Sequence, residues 1–191
     1  AEKHPQGGTR QSYVGFMQLG QHAPASHVIA HVSDTHFGTG SATVYAGTDP
    51  ARYLEGVMTR LSIVRPDAIV FTGDIADLGE PEAYDAVASI VVDAAADMGA
   101  ELIWVMGNHD ARVPFARTLL GRETDPDAPL DQVVDIDGLR IIALDTTIPG
   151  YHDGELTPTQ LEWLREQLAT PAPHGTLLAM HHPPIATHLQ L

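Results

Sequence analysis

Four short apolar runs in this sequence each stop at side chains that carry oxygen or nitrogen donors. His27 to Val32 leads into Ser33-Asp34-Thr35-His36. Ala68 to Thr72 leads into Gly73-Asp74. Leu102 to Met106 leads into Gly107-Asn108-His109-Asp110, and Leu177 to Met180 into His181-His182-Pro183-Pro184. Such runs, bounded by Gly, Asp and Pro, read as buried strands. Two helix-length segments separate the first three. Asp49-Pro50 gives one an N-cap and a proline at its first position. Its apolar face is Tyr53, Leu54, Val57, Met58, Leu61 and Val64, and Pro66 ends it. The other opens at Pro81, presents Tyr84, Val87, Val91, Ala94 and Met98, and ends at Gly99. The order βαβαβ with near-continuous apolar strands predicts a parallel sheet covered on both faces. Such sheets bind ligands beyond the carboxyl ends of their strands. Asp34, Asp74 and Asn108 fall there, so one metal-binding cleft is the central expectation.

After a short helix near 112–120 the pattern changes. Val133 to Ile136 and Leu139 to Leu144 flank Asp137-Gly138, a two-residue hairpin signal. Thr157-Pro158-Thr159-Gln160 is a capping box for a helix carrying Leu161, Leu164 and Leu168. A last strand then reaches His181. The predicted class is α/β: a parallel βαβαβ unit followed by an antiparallel hairpin. Residues 1–26, rich in Gly, Gln, His and Pro, read as an extension in which only Tyr13 to Leu19 is expected to order. Residues 27–191 read as one domain.

With 25 acidic against 10 basic residues the formal net charge is −15. That disfavours nucleic-acid binding, which rests on Lys and Arg contacts to phosphate. A phosphate ester can still bind if cations supply positive charge locally. No apolar run approaches the ~20 residues of a membrane span, and the start shows no signal-peptide pattern. The absence of cysteine excludes disulfides and thiolate metal sites, and a cytoplasmic protein is expected.

Asp34 and His36 are two apart, so an extended backbone turns both side chains the same way, as two ligands on one ion require. The ordinary alternative is a capping Asp beside a surface His. Asp74 is either a helix cap or a carboxylate bridging two ions. Gly107 admits close backbone approach. Asn108 offers a neutral carbonyl oxygen, His109 points towards substrate, and Asp110 orients the His109 imidazole. A capping Asn with a surface His is the alternative there. Of the two adjacent histidines, His181 is expected to face the cleft as ligand and His182 to pack or hydrogen-bond. Asp77 either supports the site from behind or opens the next helix. Asp145 reads as structural. Singly these alternatives suffice; jointly they need coincidences at four strand ends.

The words Asp34-x-His36, Gly73-Asp74, Gly107-Asn108-His109-Asp110 and His181-His182-Pro183 resemble, in order and spacing, the calcineurin-like metallophosphoesterases over residues 27–188. Longer words, including Asp67 to Asp74, Trp104 to Asp110 and Asp137 to Ile142, are similar to bacterial, mycobacterial-type class III cyclic nucleotide phosphodiesterases. The resemblance implies a four-layer αββα sandwich. It also implies two metal ions, iron and manganese, or two manganese or zinc ions. Asp34, His36 and Asp74 would hold the first; Asp74, Asn108 and His181 the second. A hydroxide bridging them would attack phosphorus in line, and His109 would contact a phosphoryl oxygen or protonate the leaving group. Cyclic AMP would give the 5′-monophosphate, and other small phosphodiesters, glycerophosphodiesters among them, would also be cleaved.

The chain departs from that pattern at its end. It contains no Gly-His dipeptide, so the family's Gly-His-x-His ligands are missing and the second sheet is expected to be incomplete. Either the chain is a piece of a longer enzyme, the preferred reading, or a second chain or homodimer completes it, or His188 swings in. The 191 residues alone are expected to bind metal weakly and to hydrolyse slowly. A non-catalytic binding module that keeps the fold is the alternative function.

Overall fold

The computed structural model describes residues 24–38 and 49–185. The expected ordering of Tyr13 to Leu19, most of the Gly-rich loop at 38–41, and His188 lie outside them.

The first sheet is three parallel strands, β1 (Ile29–Val32), β2 (Ala68–Thr72) and β3 (Glu101–Val105), in that order. Two crossover helices join them: α1 (Pro50–Val64) and α2 (Pro81–Met98). Asp49 caps α1 by accepting from the Arg52 backbone N–H at 3.1 Å. Gly99 closes α2 in the left-handed conformation, and Arg65 donates to the Asp97 and Met98 carbonyls at that same end. After α3 (Arg112–Leu119) comes a mixed sheet. In it β4 (Gln132–Ile136) pairs antiparallel with β5 (Leu139–Ala143), and β5 pairs parallel with β6 (Thr176–Ala179). Asp137 and Gly138 turn the hairpin at φ 48° and 89°, the signs a two-residue turn of this hand requires. Helix α4 (Pro158–Leu168) lies between β5 and β6 in sequence and starts with the predicted capping box.

The strand side chains alternate between two cores. Ile69, Phe71 and Trp104 face the helices, where Leu54, Met58, Tyr84, Val87, Val91 and Phe115 meet them. Ala68, Val70, Ile103 and Val105 face the other way, onto Ile141, Ala143 and Ala179 of the second sheet. Burial at roughly 1.5–3 kcal/mol per large side chain makes both faces strong constraints on register. The two sheets therefore stack with their strand ends aligned, which brings the end of β6 to the ends of β1, β2 and β3.

Two helix faces differ from expectation. On α1 only Leu54 and Met58 are fully buried, while Tyr53 is 67% exposed and Val64 is also open. On α4 Leu161 and Leu168 are exposed, Leu164 is half-buried, and the one buried residue is Gln160. Its amide donates to Asp131 Oδ1 at 3.1 Å and to the Asp145 carbonyl at 2.8 Å. Helix α4 is thus anchored by a polar peg, which hydrophobic periodicity does not register.

Candidate metal centre

Past the ends of β1 and β2 the two chains keep running side by side. The Asp34 N–H donates to the Gly73 carbonyl at 3.1 Å and the His36 N–H to the Asp74 carbonyl at 2.9 Å. The backbone there is left-handed: Asp34 has φ 55°, His36 43°, Gly73 81° and Asp74 50°. Three non-glycine residues in this sparsely populated region, within two adjoining turns, mark a constrained site. Asp34 and His36 do face one centre, but these left-handed turns aim them, not the extended alternation expected. The Ser33 hydroxyl, bonded to the Asp34 carboxylate and to the Thr72 carbonyl, helps to fix the first turn.

Asp74 lies at the middle and is nearly fully buried. Its Oδ2 is 3.7 Å from His36 Nε2, which is 3.9 Å from Asp34 Oδ1. Its Oδ1 is 3.5 Å from His181 Nε2, which is 3.3 Å from Asn108 Oδ1. One carboxylate thus faces His36 on one oxygen and His181 on the other, and Asp34, Asp74 and His181 also bring donor atoms within 4.8 Å of one another. The imidazoles are held from behind. His181 Nδ1–H donates to the Thr72 carbonyl at 2.9 Å, and His36 Nδ1–H faces Asp77 Oδ1 at 3.3 Å. A ring that carries its one proton on Nδ1 turns a lone pair on Nε2 towards carboxylate or amide oxygens. Acceptors facing acceptors are relieved by a cation between them, whether a proton on the ring or a metal ion. Ligands held at ~2.1 Å and at octahedral or tetrahedral angles lie roughly 3.0–3.4 Å apart; the separations here run from 3.3 to 3.9 Å, so a small inward movement of the side chains would bring them into range. The donor set therefore fits two metal ions.

Close approach depends on glycine at two places. A Cβ on Gly107 would run into the Asp74 carboxylate and backbone nitrogen, and one on Gly73 would lie 2.7 Å from the Gly107 Cα. His109 donates its backbone N–H to Asp74 Oδ1 at 3.0 Å, while its Nδ1–H donates to the Asp77 carbonyl at 2.7 Å. Among the described residues its Nε2 has no hydrogen-bond partner. A ring nitrogen of His109 also lies within 4.8 Å of donor atoms of His36 and Asp74.

Asp77 therefore sits behind two rings, His36 and His109. Asp110 does not orient His109 as expected. Its carboxylate accepts from the backbone N–H groups of Ile75, Ala76 and Gly107 and from the Tyr84 hydroxyl, tying the second and third strand ends together. Burial pushes its carboxyl up to about 6, against the pull of those donors. Burial also raises the Tyr84 phenol, which stays a donor. His182 has both nitrogens engaged: Nδ1 accepts from the Thr146 hydroxyl at 2.7 Å and Nε2–H donates to the His152 carbonyl at 3.1 Å. Burial lowers its basicity, in keeping with a neutral ring.

Two parts of the neighbourhood were not legible in the sequence. Arg112 and Asp145 form a buried pair at 3.1 Å beneath the Thr146 turn. His152, in an irregular loop, reaches Asn108. Only the unusual combination of Arg at the start of a helix with an Asp ending a strand hints at the first, and no spacing signals the second.

The calcineurin-like phosphoesterase family model matches residues 27–190. The chain belongs to this family. It is 50% identical over 177 residues to the cAMP/cGMP dual specificity phosphodiesterase of Mycobacterium tuberculosis, covering 92% of this chain and 55% of that protein. It is 33% identical over 166 residues to the glycerophosphodiester phosphodiesterase of Enterobacter lignolyticus, covering 83% of this chain and 57% of that one. The chain thus spans a little over half the length of these curated relatives. Among solved structures, a dimetal phosphatase from Danio rerio superposes with a TM-score of 0.60 at 15% identity, covering 82% of this chain and 70% of the other. That likeness concerns the fold alone. No described helix is long and apolar enough to cross a membrane.

Proposed function

We propose that this phosphoesterase domain serves a metal-dependent phosphodiesterase that hydrolyses 3′,5′-cyclic nucleotides to 5′-monophosphates. The observation that carries this reading is the division of the Asp74 carboxylate between two sets of facing acceptors. Asp34, His36 and Asp74 would hold one ion, and Asp74, Asn108 and His181 the other. Carboxylate, amide and imidazole donors without thiolate suit manganese, iron or zinc. Two such ions, when bound, supply a water acidic enough to lose its proton near neutral pH and charge to offset the phosphoryl oxygens.

The chain's own residues do the rest. Asp77 fixes the His36 ring by its side chain and the His109 ring by its carbonyl. His109 turns its free Nε2 to the substrate side, where a protonated imidazole can donate to a phosphoryl oxygen or to the departing ribose oxygen. Positive charge from the ions reconciles the acidity of the chain with an anionic substrate.

The name of the mycobacterial relative favours cyclic nucleotides; that of the Enterobacter relative favours a glycerophosphodiester as the second reading. Steady-state hydrolysis of cyclic AMP, cyclic GMP and glycerophosphocholine, with manganese and with chelator, decides between them. Chelator-sensitive turnover of the cyclic nucleotides at a higher kcat/KM than glycerophosphocholine is expected. Metal-independent turnover, or none with any diester, would remove this reading. Persistence of a cellular effect in a His109→Ala protein that no longer hydrolyses would favour a binding module.

A further inference from the structure

We propose that His152 is a positioning residue: it holds the Asn108 carboxamide with its oxygen turned into the metal centre. This rests on the reading of Asn108 as a ligand. A carboxamide has two ends of nearly equal shape, and only the oxygen can bind a cation. The terminal torsion of Asn is broad and roughly two-fold, so the side chain itself does not choose between them. Its neighbours must choose.

One neighbour favours the wrong end. His181 commits Nδ1–H to the Thr72 carbonyl and offers a lone pair on Nε2, 3.3 Å from Asn108 Oδ1. With no ion between them, that lone pair attracts the Asn108 NH2, whose donation would bury the amide nitrogen where the oxygen is needed. The opposing partner is His152, whose Nδ1 lies 3.1 Å from Asn108 Nδ2. An acceptor there takes the NH2 group and leaves Oδ1 facing His181.

His152 can resist the flip because its loop is pinned. His182 donates Nε2–H to the His152 carbonyl at 3.1 Å while accepting from Thr146 on Nδ1. Thr147 and Gly154 form a bridge across the loop, and the Glu155 N–H returns to the Thr146 carbonyl at 3.0 Å. Gly154 lies flat against the His182 ring, where a Cβ would fall 2.5 Å from Nδ1. The pairing His181-His182 thus has two jobs: the first ring faces the centre, and the second anchors the loop that sets the opposing side of it.

The test is manganese binding to the full protein by calorimetry and by electron paramagnetic resonance. It compares wild type with His152→Phe, which keeps a ring but no acceptor, and with His152→Gln, whose carbonyl can still accept. His152 is exposed, so neither variant threatens the fold. Two ions are expected in wild type. In His152→Phe the ion held by Asp74, Asn108 and His181 should bind about 10-fold or more weakly, within the range found when groups that orient metal ligands are removed, with loss of the signal of a coupled pair. The other ion should be unaffected, and His152→Gln should restore binding to within about 3-fold. Two ions in wild type with unchanged affinities in His152→Phe would overturn the proposal and leave the metal centre standing. Fewer than two ions in wild type would overturn the underlying reading, and this one with it.

Discussion

His181 donates its Nδ1–H to the carbonyl of Thr72, 2.9 Å away and 109 positions earlier in the chain. Thr72 ends β2 in the first sheet and His181 follows β6 in the second. The centre is therefore assembled across the seam between the sheets, and anything that spreads the seam should disturb it.

Gly73 stands at that seam. A methyl group there would lie 2.6 Å from the His181 Cγ and 2.7 Å from the Gly107 Cα, at φ 81°. Overpacking and a left-handed backbone each cost on the order of 1–3 kcal/mol. Gly73→Ala should thus lose about 3 kcal/mol in urea unfolding without metal, and should lose metal binding. Gly99→Ala is the control: its φ is similarly positive, at 73°, but nothing lies within 4 Å of the added carbon. It should lose only about 1 kcal/mol and keep its metal. Equal losses would show that crowding at the seam contributes nothing.

The buried Arg112 is a second support. Its Nε donates to Asp145 Oδ2 at 3.1 Å, one terminal nitrogen to the Pro126 carbonyl at 3.0 Å, and the other to Thr147 Oγ1 at 2.9 Å. Lysine has one nitrogen for these three directions. Arg112→Lys should cost about 2–4 kcal/mol, because Asp145 keeps its donors from Leu130 and Thr147 but loses the fixed guanidinium partner, and the Pro126 carbonyl or Thr147 is left unmet. Arg112→Met with Asp145→Asn removes both charges and should recover part of that loss. Denaturant unfolding of the three variants checks the order.

Asp131 gives a pH signature away from the metal centre. Burial raises its carboxyl above the ordinary range, and the nearby Asp145 charge adds to this, while Arg112 and hydrogen bonds from the Asp145 backbone N–H and Gln160 oppose it. The folded chain therefore binds the proton more tightly than the unfolded chain. As pH rises from about 3.9, the unfolded value, through the raised folded value, folding stability falls. Asparagine can still accept both hydrogen bonds without a charge. The stability of Asp131→Asn relative to wild type should grow across this window and level off above it. A difference that does not change with pH would contradict the assignment.

The sequence carried the elements and the meeting of four strand ends because both follow from local rules. Apolar runs of strand length, Pro and Asp at helix starts, and Gly at a helix end are each decided by a few neighbouring residues. Side-chain direction at the site was less legible. Extended alternation put Asp34 and His36 on one side for the wrong reason, since left-handed turns do that work. Asp110 follows His109 immediately, yet its partners are Ile75, Ala76, Gly107 and Tyr84. On α4, where Leu161, Leu164 and Leu168 recur at helical spacing, the one buried residue is the polar Gln160. His152 stands 44 positions from Asn108, in a loop with no periodicity to read. Partners brought together only by tertiary folding leave no mark in spacing.

Metal addition and removal separates binding from chemistry. Without cations, Asp34, Asp74, Asn108, His36 and His181 crowd acceptors together. Manganese should therefore raise the unfolding midpoint, by an amount equivalent to about 2.7 kcal/mol at a hundredfold excess over Kd, and chelator should reverse it. Asp74→Asn replaces the carboxylate that faces both donor groups, so its midpoint should respond little to manganese and its turnover should vanish. On the proposed reading, in which its Nε2 meets substrate, His109→Ala should respond to manganese almost as wild type does, since Asp77 still holds His36, yet lose about 10²–10⁴ in kcat. A manganese response lost in His109→Ala as fully as in Asp74→Asn would place His109 among the ligands, a role its distance to Asp74 and His36 allows.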